Sequence, residues 1–257
     1  YLSIYLSIYL SFYLSPRTIL TWGDAHSCYL DTNDSKSKYI IKHLKLFWTP
    51  EQIAGRLKEV DFIVTNYNSS SSMEKSIKQE FVALLKARAE VMQPGDPLDP
   101  KSKMGAIVDE KQTNGIMRFV EAGKQTANLV TGGQRTFVNG KGCFVQPTIF
   151  DDVTQENPLA RDEIFGPVLS VISFDTEEEA IRIANDTEYG LSSGIITVDE
   201  NRALEMSRKL ETGMCHVNCS SVNDEPHVPF GGSKASGLGK HGGKWSMETF
   251  TETRWIT

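Results

Sequence analysis

Residues 161–186 read RDEIFGPVLSVISFDTEEEAIRIAND, and this stretch decides the fold class. Val168 to Phe174 is a nearly unbroken apolar run, as expected of a central strand covered on both faces. Directly after it, Thr176 and Glu179 stand at capping-box spacing, with Thr176 as the N-cap of a helix. Ala180, Ile181 and Ala184 then share the inward face of that helix. A buried strand feeding a capped helix is the building unit of an α/β fold. Just ahead of the strand, Glu163 precedes a Phe-Gly-Pro turn at 165–167, which raises the question of what its carboxylate faces.

Outward from this unit the same alternation recurs. Residues 77–92, IKQEFVALLKARAEVM, set Ile77, Phe81, Leu84, Leu85, Val91 and Met92 along one helical stripe. QPGDPLDP then ends that helix with two prolines and a glycine. Residues 109–123 predict a second helix with Ile116, Phe119 and Val120 inward and Gly123 near its end. NLVTGG and FVQPTIF read as strands separated by a turn around NGKG. GIITV is a strand, ENRALEMSRKLE a helix and GMCHVNC a further strand. From Ile77 to about Ser220 this predicts a mostly parallel sheet flanked by helices.

The first 75 residues read differently. In YLSIYLSIYLSFYLS, Tyr recurs at 1, 5, 9 and 13, and Leu and Ser follow the same period of four. That period is too short for a solenoid and the run too rich in Ser for a membrane span. Residues 1–37 are therefore expected to be low-complexity, irregular sequence. Residues 38–75 are expected to hold short helices, with DFIVTNY as a short strand and NSSSS at 68–72 as a loop. TPEQIAGRLKEV carries Thr49 as N-cap, Pro50 at the first helical position and Gln52 closing a capping box. The chain opens on Tyr rather than Met, which reads as a fragment or processed product.

Composition narrows the function classes. Of 257 residues, 39% are apolar and 23% charged, an ordinary balance for a globular protein. The net charge of −6 argues against a nucleic-acid partner. Cys28, Cys143, Cys215 and Cys219 form no CxxC pair and have no His at zinc-ligand spacing, so no metal site is expected. Cys215 and Cys219, four apart in a predicted strand, share a face but lie too far apart to bridge. A reduced, cytoplasmic protein is the expectation. His216 and Asn218, on the opposite face, are expected to be satisfied polar groups at a sheet end. Acceptor patterns for glycosylation at NDS, NSS, NDT and NCS are discounted for want of a secretory signal.

Within PFGGSKASGLGKHGG (229–243), residues 237–242 satisfy GxGxxG. The dinucleotide fingerprint needs a preceding strand, a following helix and an acid about twenty residues later, within a βαβ unit. The chain reaches Thr257 without that context, and Leu rather than Lys after Gly237 rules out a phosphate loop of the Walker kind. The glycines are expected to permit tight turns and close backbone approach.

Taken together, EFVALLKARA, PGDPLDP, MGAIVDEKQ, FVQPTIFDDV, RDEIFGPVLSV, NDTEYGLSSGI, HVN and PFGGSKASGLGKHGG resemble the aldehyde dehydrogenase superfamily. They occur in the family's order and spacing over residues 76–257. NDEPHVPFGGSKASG and the tail FTETRWIT are most similar to members that oxidise aromatic aldehydes of the benzaldehyde, vanillin or salicylaldehyde kind. The resemblance implies oxidation of an aldehyde to its acid with NAD or NADP. A Cys thiolate adds to the carbonyl, hydride passes to the cofactor, and a Glu-activated water hydrolyses the thioester. It implies that Glu163 accepts hydrogen bonds from the nicotinamide ribose and that Phe165 packs near the nicotinamide. Gln112 matches another position near that ribose. The loop from Cys219 to His227 matches the aldehyde pocket, with Cys219, Asn223 and Phe230 as pocket residues. Homo- or hetero-oligomers with family subunits are implied as well, with FTETRWIT as an interface strand; no membrane partner is.

The resemblance also exposes what this sequence lacks. The family's nucleophile stands in a Gly-Gln-x-Cys segment just before the helix that begins near Ile77. Here that place holds FIVTNYNSSSS, and no Cys lies between Cys28 and Cys143. The Glu-Leu-Gly-Gly-Lys motif of the general base is not found, and no nucleotide-binding half precedes the matched region. No catalytic residue is therefore assigned. The expectation is a catalytic-domain portion, truncated and inactive by itself, or a non-catalytic fragment that pairs with intact family subunits.

Overall fold

A computed structural model describes residues 63–66, 70–219, 221 and 223–257. The helices expected between 38 and 60 and the low-complexity start lie outside these residues. A seven-stranded sheet organises the remainder. Its strands are β1 (Ile63–Asn66), β2 (Ser70–Glu74), β3 (Asn128–Thr131), β6 (Thr148–Asp151), β7 (Val168–Phe174), β9 (Ser192–Ile196) and β10 (Met214–Val217). Their spatial order is β10-β9-β1-β2-β7-β6-β3. β10 pairs parallel with β9, and β2, β7 and β6 pair parallel in turn. β1 is antiparallel to both β2 and β9, and β3 is antiparallel to β6. Thus β10, β9, β2, β7 and β6 run one way and β1 and β3 the other, so the sheet is mostly parallel, as expected.

β7 shows why this fold forms. Val168, Ile172 and Phe174 join one buried cluster with Ile116, Val120, Leu159 and Ala180. Val171 points the other way, into a cluster with Met73, Phe81, Leu85 and Ala89. Side chains alternate across a strand, so an unbroken apolar run must be covered twice. Helix α1 (Lys78–Val91) covers one face; α2 (Glu110–Thr126), α3 (Pro158–Arg161) and α4 (Glu177–Asn185) cover the other. Helix α5 (Glu200–Ser207) crosses from β9 to β10 and buries Ala203 and Met206. Full burial of Met206 contributes roughly 1.5–3 kcal/mol relative to exposure.

The cap predicted at Thr176 forms, while the one expected at Thr49 lies outside the described residues. Thr176 accepts from the Glu179 amide at 3.2 Å, while the Glu179 carboxylate accepts from the Asp175 amide at 2.9 Å. Asp109 and Asp199 cap α2 and α5 in the same way. The turn around NGKG is a hairpin between β4 (Arg135–Val138) and β5 (Lys141–Val145), closed by Asn139 and Gly140 with φ of 50° and 73°.

Three expectations need correction. The serine run is no loop: Ser70–Glu74 is β2, with β1 on one side and β7 on the other, and Ser71 and Ser72 are buried. Pairing on both sides satisfies the backbone, and a serine is small enough to sit beneath a helix. Val91 is exposed, and Ala89 takes the inward place on α1. The second helix runs past 123 to Thr126; Gly123 is near its end, as expected, and packs where a Cβ would meet Leu159 and Phe150. The last predicted strand stops at Val217, because Asn218 turns left-handed with φ of 53°. Cys219 therefore lies beyond the strand, and the expectation that it shares a strand face with Cys215 no longer holds.

Candidate active site

The turn that carries Glu163 and Phe165 joins α3 to β7 and rests on the first turns of α2. The Gln112 side-chain amide donates to the carbonyl of Ile164 at 3.1 Å and of Phe165 at 3.3 Å. Phe165 is left-handed, with φ of 55°, a conformation bulky residues rarely adopt. Gly166 follows because the backbone meets α2 directly there: a Cβ would fall 2.6 Å from Ile116. Glu163 and Phe165 are both half-buried, so their side chains keep an open side. Arg161, at the foot of the turn, pairs with Asp186 at 2.8 Å, and each charge stabilises the ionised form of the other.

A two-stranded ribbon flanks this turn. β8 (Tyr189–Gly190) pairs antiparallel with β11 (Ser233–Lys234). Burial, and then the carboxylates of Glu188, Glu163 and Asp162, push the Tyr189 phenol above its ordinary value. Glu163 is thus within electrostatic reach of the ribbon that begins the glycine-rich segment. Lys234 donates to the carbonyls of Asn185 and Thr187 at the C-terminal end of α4, a favourable site for a cation.

The glycine-rich segment folds around the turn at Phe230. Phe230 and His241 exchange two backbone hydrogen bonds, at 2.8 and 2.7 Å. The Lys240 ammonium donates to Gly231 and Gly232 carbonyls at 2.6 and 3.0 Å. The GxGxxG match is preceded by the two-residue β11 and followed by α6 (Gly243–Phe250), but β11 is antiparallel and no βαβ unit results. Gly237 and Gly239 take positive φ in open space. The glycines here shape a clasp for the Phe230 turn.

The loop after β10 folds back over the sheet end. The Asn218 carboxamide oxygen accepts from the Thr197 amide at 3.0 Å, and the Ser192 hydroxyl donates to Ser221 at 2.5 Å. Asn218 is satisfied, as expected. His216 is not: its Nε2 is buried without a hydrogen-bond partner. Burial holds its pKa below the ordinary value, against the opposing pull of Asp224. None of the three described thiols is in a disulfide. Cys215 is pushed up by burial, against a hydrogen bond with Ser193. Cys143 lies 3.5 Å from the Glu110 carboxylate, an acceptor already paired with Arg135. No group of three or more His, Cys, Asp or Glu side chains suited to a metal occurs among the described residues.

A sequence model of the Aldehyde dehydrogenase family matches residues 68–256. The chain belongs to the aldehyde dehydrogenase family. It is 41% identical over 186 residues to benzaldehyde dehydrogenase YfmT of Bacillus subtilis, which covers 72% of this chain and 37% of that protein. Vanillin dehydrogenase of Pseudomonas fluorescens is also 41% identical over 186 residues, covering 72% of this chain and 38% of the relative. Among solved structures, Mycobacterium tuberculosis aldehyde dehydrogenase complexed with NAD+ superposes with a TM-score of 0.67 at 36% identity. That likeness covers 72% of this chain and 38% of the other. The chain thus spans less than two fifths of the length of these relatives.

Within this aldehyde dehydrogenase portion the residues singled out from sequence fall into two sets. Gln112, Glu163 and Phe165 meet at one turn on α2. Cys219, Asn223 and Phe230 lie on the two segments past β10; Asn223 is exposed, Phe230 is 36% exposed and Cys219 is half-buried. The β8–β11 ribbon lies between the two sets in the chain's path. Sequence reasoning missed Tyr189 and Lys240. A lysine set among six glycines was the available signal for Lys240; no local signal pointed to Tyr189. No described helix is long and apolar enough to cross a membrane.

Proposed function

We propose that this chain is the substrate-facing and nicotinamide-facing portion of an NAD(P)+-dependent enzyme that oxidises an aromatic aldehyde to its acid. We propose also that the 257-residue polypeptide is inactive by itself. The single observation behind the first claim is the half-buried Glu163–Phe165 turn seated on α2 in a chain of this family. An ionised carboxylate offers only acceptor oxygens, which suits the vicinal hydroxyls of a ribose. An aromatic ring beside it suits a flat nicotinamide. These residues fit that end of NAD or NADP; when bound, the cofactor supplies the hydride acceptor. Its presence in a neighbour's solved complex, and the aromatic aldehydes in two relatives' names, support the same assignment.

Inactivity rests on the thiols. β2, directly ahead of α1, carries serines and Met73 where the family's pattern calls for the approach to a nucleophilic cysteine. A serine there would need a base beside it, since a hydroxyl is a poor nucleophile on its own. Cys215, half-buried against the core, has its thiolate disfavoured by burial. Purified polypeptide, incubated with benzaldehyde and NAD+ or NADP+, is expected to form no reduced cofactor. Cofactor reduction that disappears in a Cys28→Ser or Cys219→Ser variant would overturn the inactive reading.

A second reading has its own observation. Helix α6 buries none of its residues, and Met247, Phe250, Trp255 and Ile256 stand exposed around it. An apolar face of this kind fits association with an intact family subunit. Mixing the chain with a full-length relative and measuring mass by light scattering tests this: a mixed species supports it, and two unmixed species sink it.

A further inference from the structure

We propose that Gln112 is a positioning residue whose side-chain amide locks Phe165 in its left-handed conformation and so fixes the direction of the aromatic ring. Its value for function rests on the reading of Glu163 and Phe165 as cofactor-facing. The lock itself rests on geometry alone. Phe165 takes φ of 55°, where a side chain with a Cβ crowds the backbone. Something must hold it there, and the two hydrogen bonds from Gln112 are placed to do so. The Ile164 carbonyl, at 3.1 Å, belongs to the peptide plane before the Phe165 Cα. The Phe165 carbonyl, at 3.3 Å, belongs to the plane after it. These are the two planes whose rotation defines φ and ψ of Phe165, so one amide group with two hydrogens restrains both.

The donor is itself fixed. Gln112 sits in the first turn of α2, where its backbone amide is capped by Asp109 at 2.7 Å, and the neighbouring Thr113 hydroxyl donates to the Asp109 carbonyl at 2.7 Å. The turn cannot drift from the helix without losing the close seat of Gly166 against Ile116. Gln112 therefore offers a cofactor only its carbonyl oxygen, since the nitrogen end of the amide already serves the turn. The same device recurs at Lys240, where one nitrogen bridges the carbonyls of Gly231 and Gly232.

The test uses the full chain, isotopically labelled, and reads Phe165 by NMR. A positive φ gives a strong contact between a residue's own amide and α hydrogens. Wild type is expected to show it at Phe165. Gln112→Glu, similar in shape but unable to donate when ionised, is expected to lose it, as is Gln112→Ala. Gln112→Lys, which restores a donor, is expected to keep it. Melting curves of folded variants within a few degrees of wild type mark the effect as local. In parallel, nicotinamide mononucleotide is titrated into each protein; binding about tenfold weaker in Gln112→Glu is expected, the factor that two lost neutral hydrogen bonds supply. If Gln112→Glu fails to fold, Gln112→Ala decides. Persistence of the left-handed signature in Gln112→Ala overturns the proposal. Failure of wild type to bind the mononucleotide would sink the cofactor reading, while the NMR comparison still judges the lock.

Discussion

The carbonyl oxygen of Gly231 presses on Gly213 so closely that a Cβ built on Gly213 would fall 1.8 Å from it. Gly213 leads into β10, and Gly231 belongs to the turn that carries Phe230. Their contact is what brings the glycine-rich clasp down onto the sheet end. Gly213→Ala must therefore push backbone against backbone, which no rotamer change can relieve. A loss of about 3 kcal/mol in stability is expected, at the upper end for overpacking. Urea denaturation checks it; a variant within 0.5 kcal/mol of wild type would show that the clasp is loosely held.

The Lys78 ammonium lies 3.1 Å from Asp151 and is also bonded to Asp152. Asp151 is only 8% exposed, so removing the lysine leaves a nearly buried carboxylate without its cation. Burial lowers the Lys78 pKa, but the two carboxylates outweigh it and the net shift is upward. A group with a raised folded pKa contributes stability below its ordinary value near 10.5 that fades as pH rises through the folded one. Lys78→Met is expected to cost about 2 kcal/mol at neutral pH, discounted from the 3–5 kcal/mol of a fully buried pair. Restoring an uncharged partner with Asp151→Asn in the same chain should recover most of that loss. A double-mutant cycle measured by thermal denaturation with no coupling between the two sites would contradict the pairing.

Thr176 offers a smaller and cleaner test. Its hydroxyl accepts from the Glu179 amide at 3.2 Å, and Ala at that position leaves the amide to water. Loss of an N-cap of this kind costs about 1 kcal/mol. Equilibrium unfolding of Thr176→Ala checks it. Glu179→Ala, which removes the reciprocal bond to the Asp175 amide, should cost a similar amount, because the two bonds satisfy one orphan amide each.

This capped strand-to-helix unit was legible in the sequence because each signal in it is local. The nearly unbroken apolar run marked β7, the capping box marked α4, and the apolar spacing marked α1 and α2. What escaped was set by distant neighbours. Ser71 and Ser72 read as loop on composition, yet β1 and β7 pair with the strand that carries them. Val91 fits the helical period, but α1 ends at it and the chain beyond gives it nothing to pack against. The site was half legible. Glu163, Phe165 and Gln112 were found by motif and do meet at one turn, but the left-handed backbone of Phe165 and the direction of the Gln112 amide are tertiary facts. The break at Asn218, which moves Cys219 off its strand, depends on a bond to Thr197 that no local pattern announces.

His216 gives the acid limb of the stability curve. It lies on β10 opposite Gly194, and its side chain shares the face of Ser192, over which the loop at Ser221 folds. The imidazole is thus covered, and its Nε2 has no partner to share a proton with. Burial favours the neutral ring and lowers the folded pKa; Asp224 pulls the other way without reversing it. A base with a depressed folded pKa binds a proton more readily when unfolded. Its contribution to stability is therefore fully present above the ordinary value near 6.5 and lost as pH falls through the folded one. His216→Gln removes the titration but keeps a polar group of similar reach; His216→Phe removes the unpaired nitrogen as well. Both variants should flatten the fall in unfolding free energy on acidification below about pH 6.5, and Phe should also raise stability at neutral pH by about 1 kcal/mol, the low end of the cost of a buried unsatisfied group. Urea titrations at a series of pH values decide the matter: an acid limb as steep in His216→Phe as in wild type would assign it to carboxylates instead.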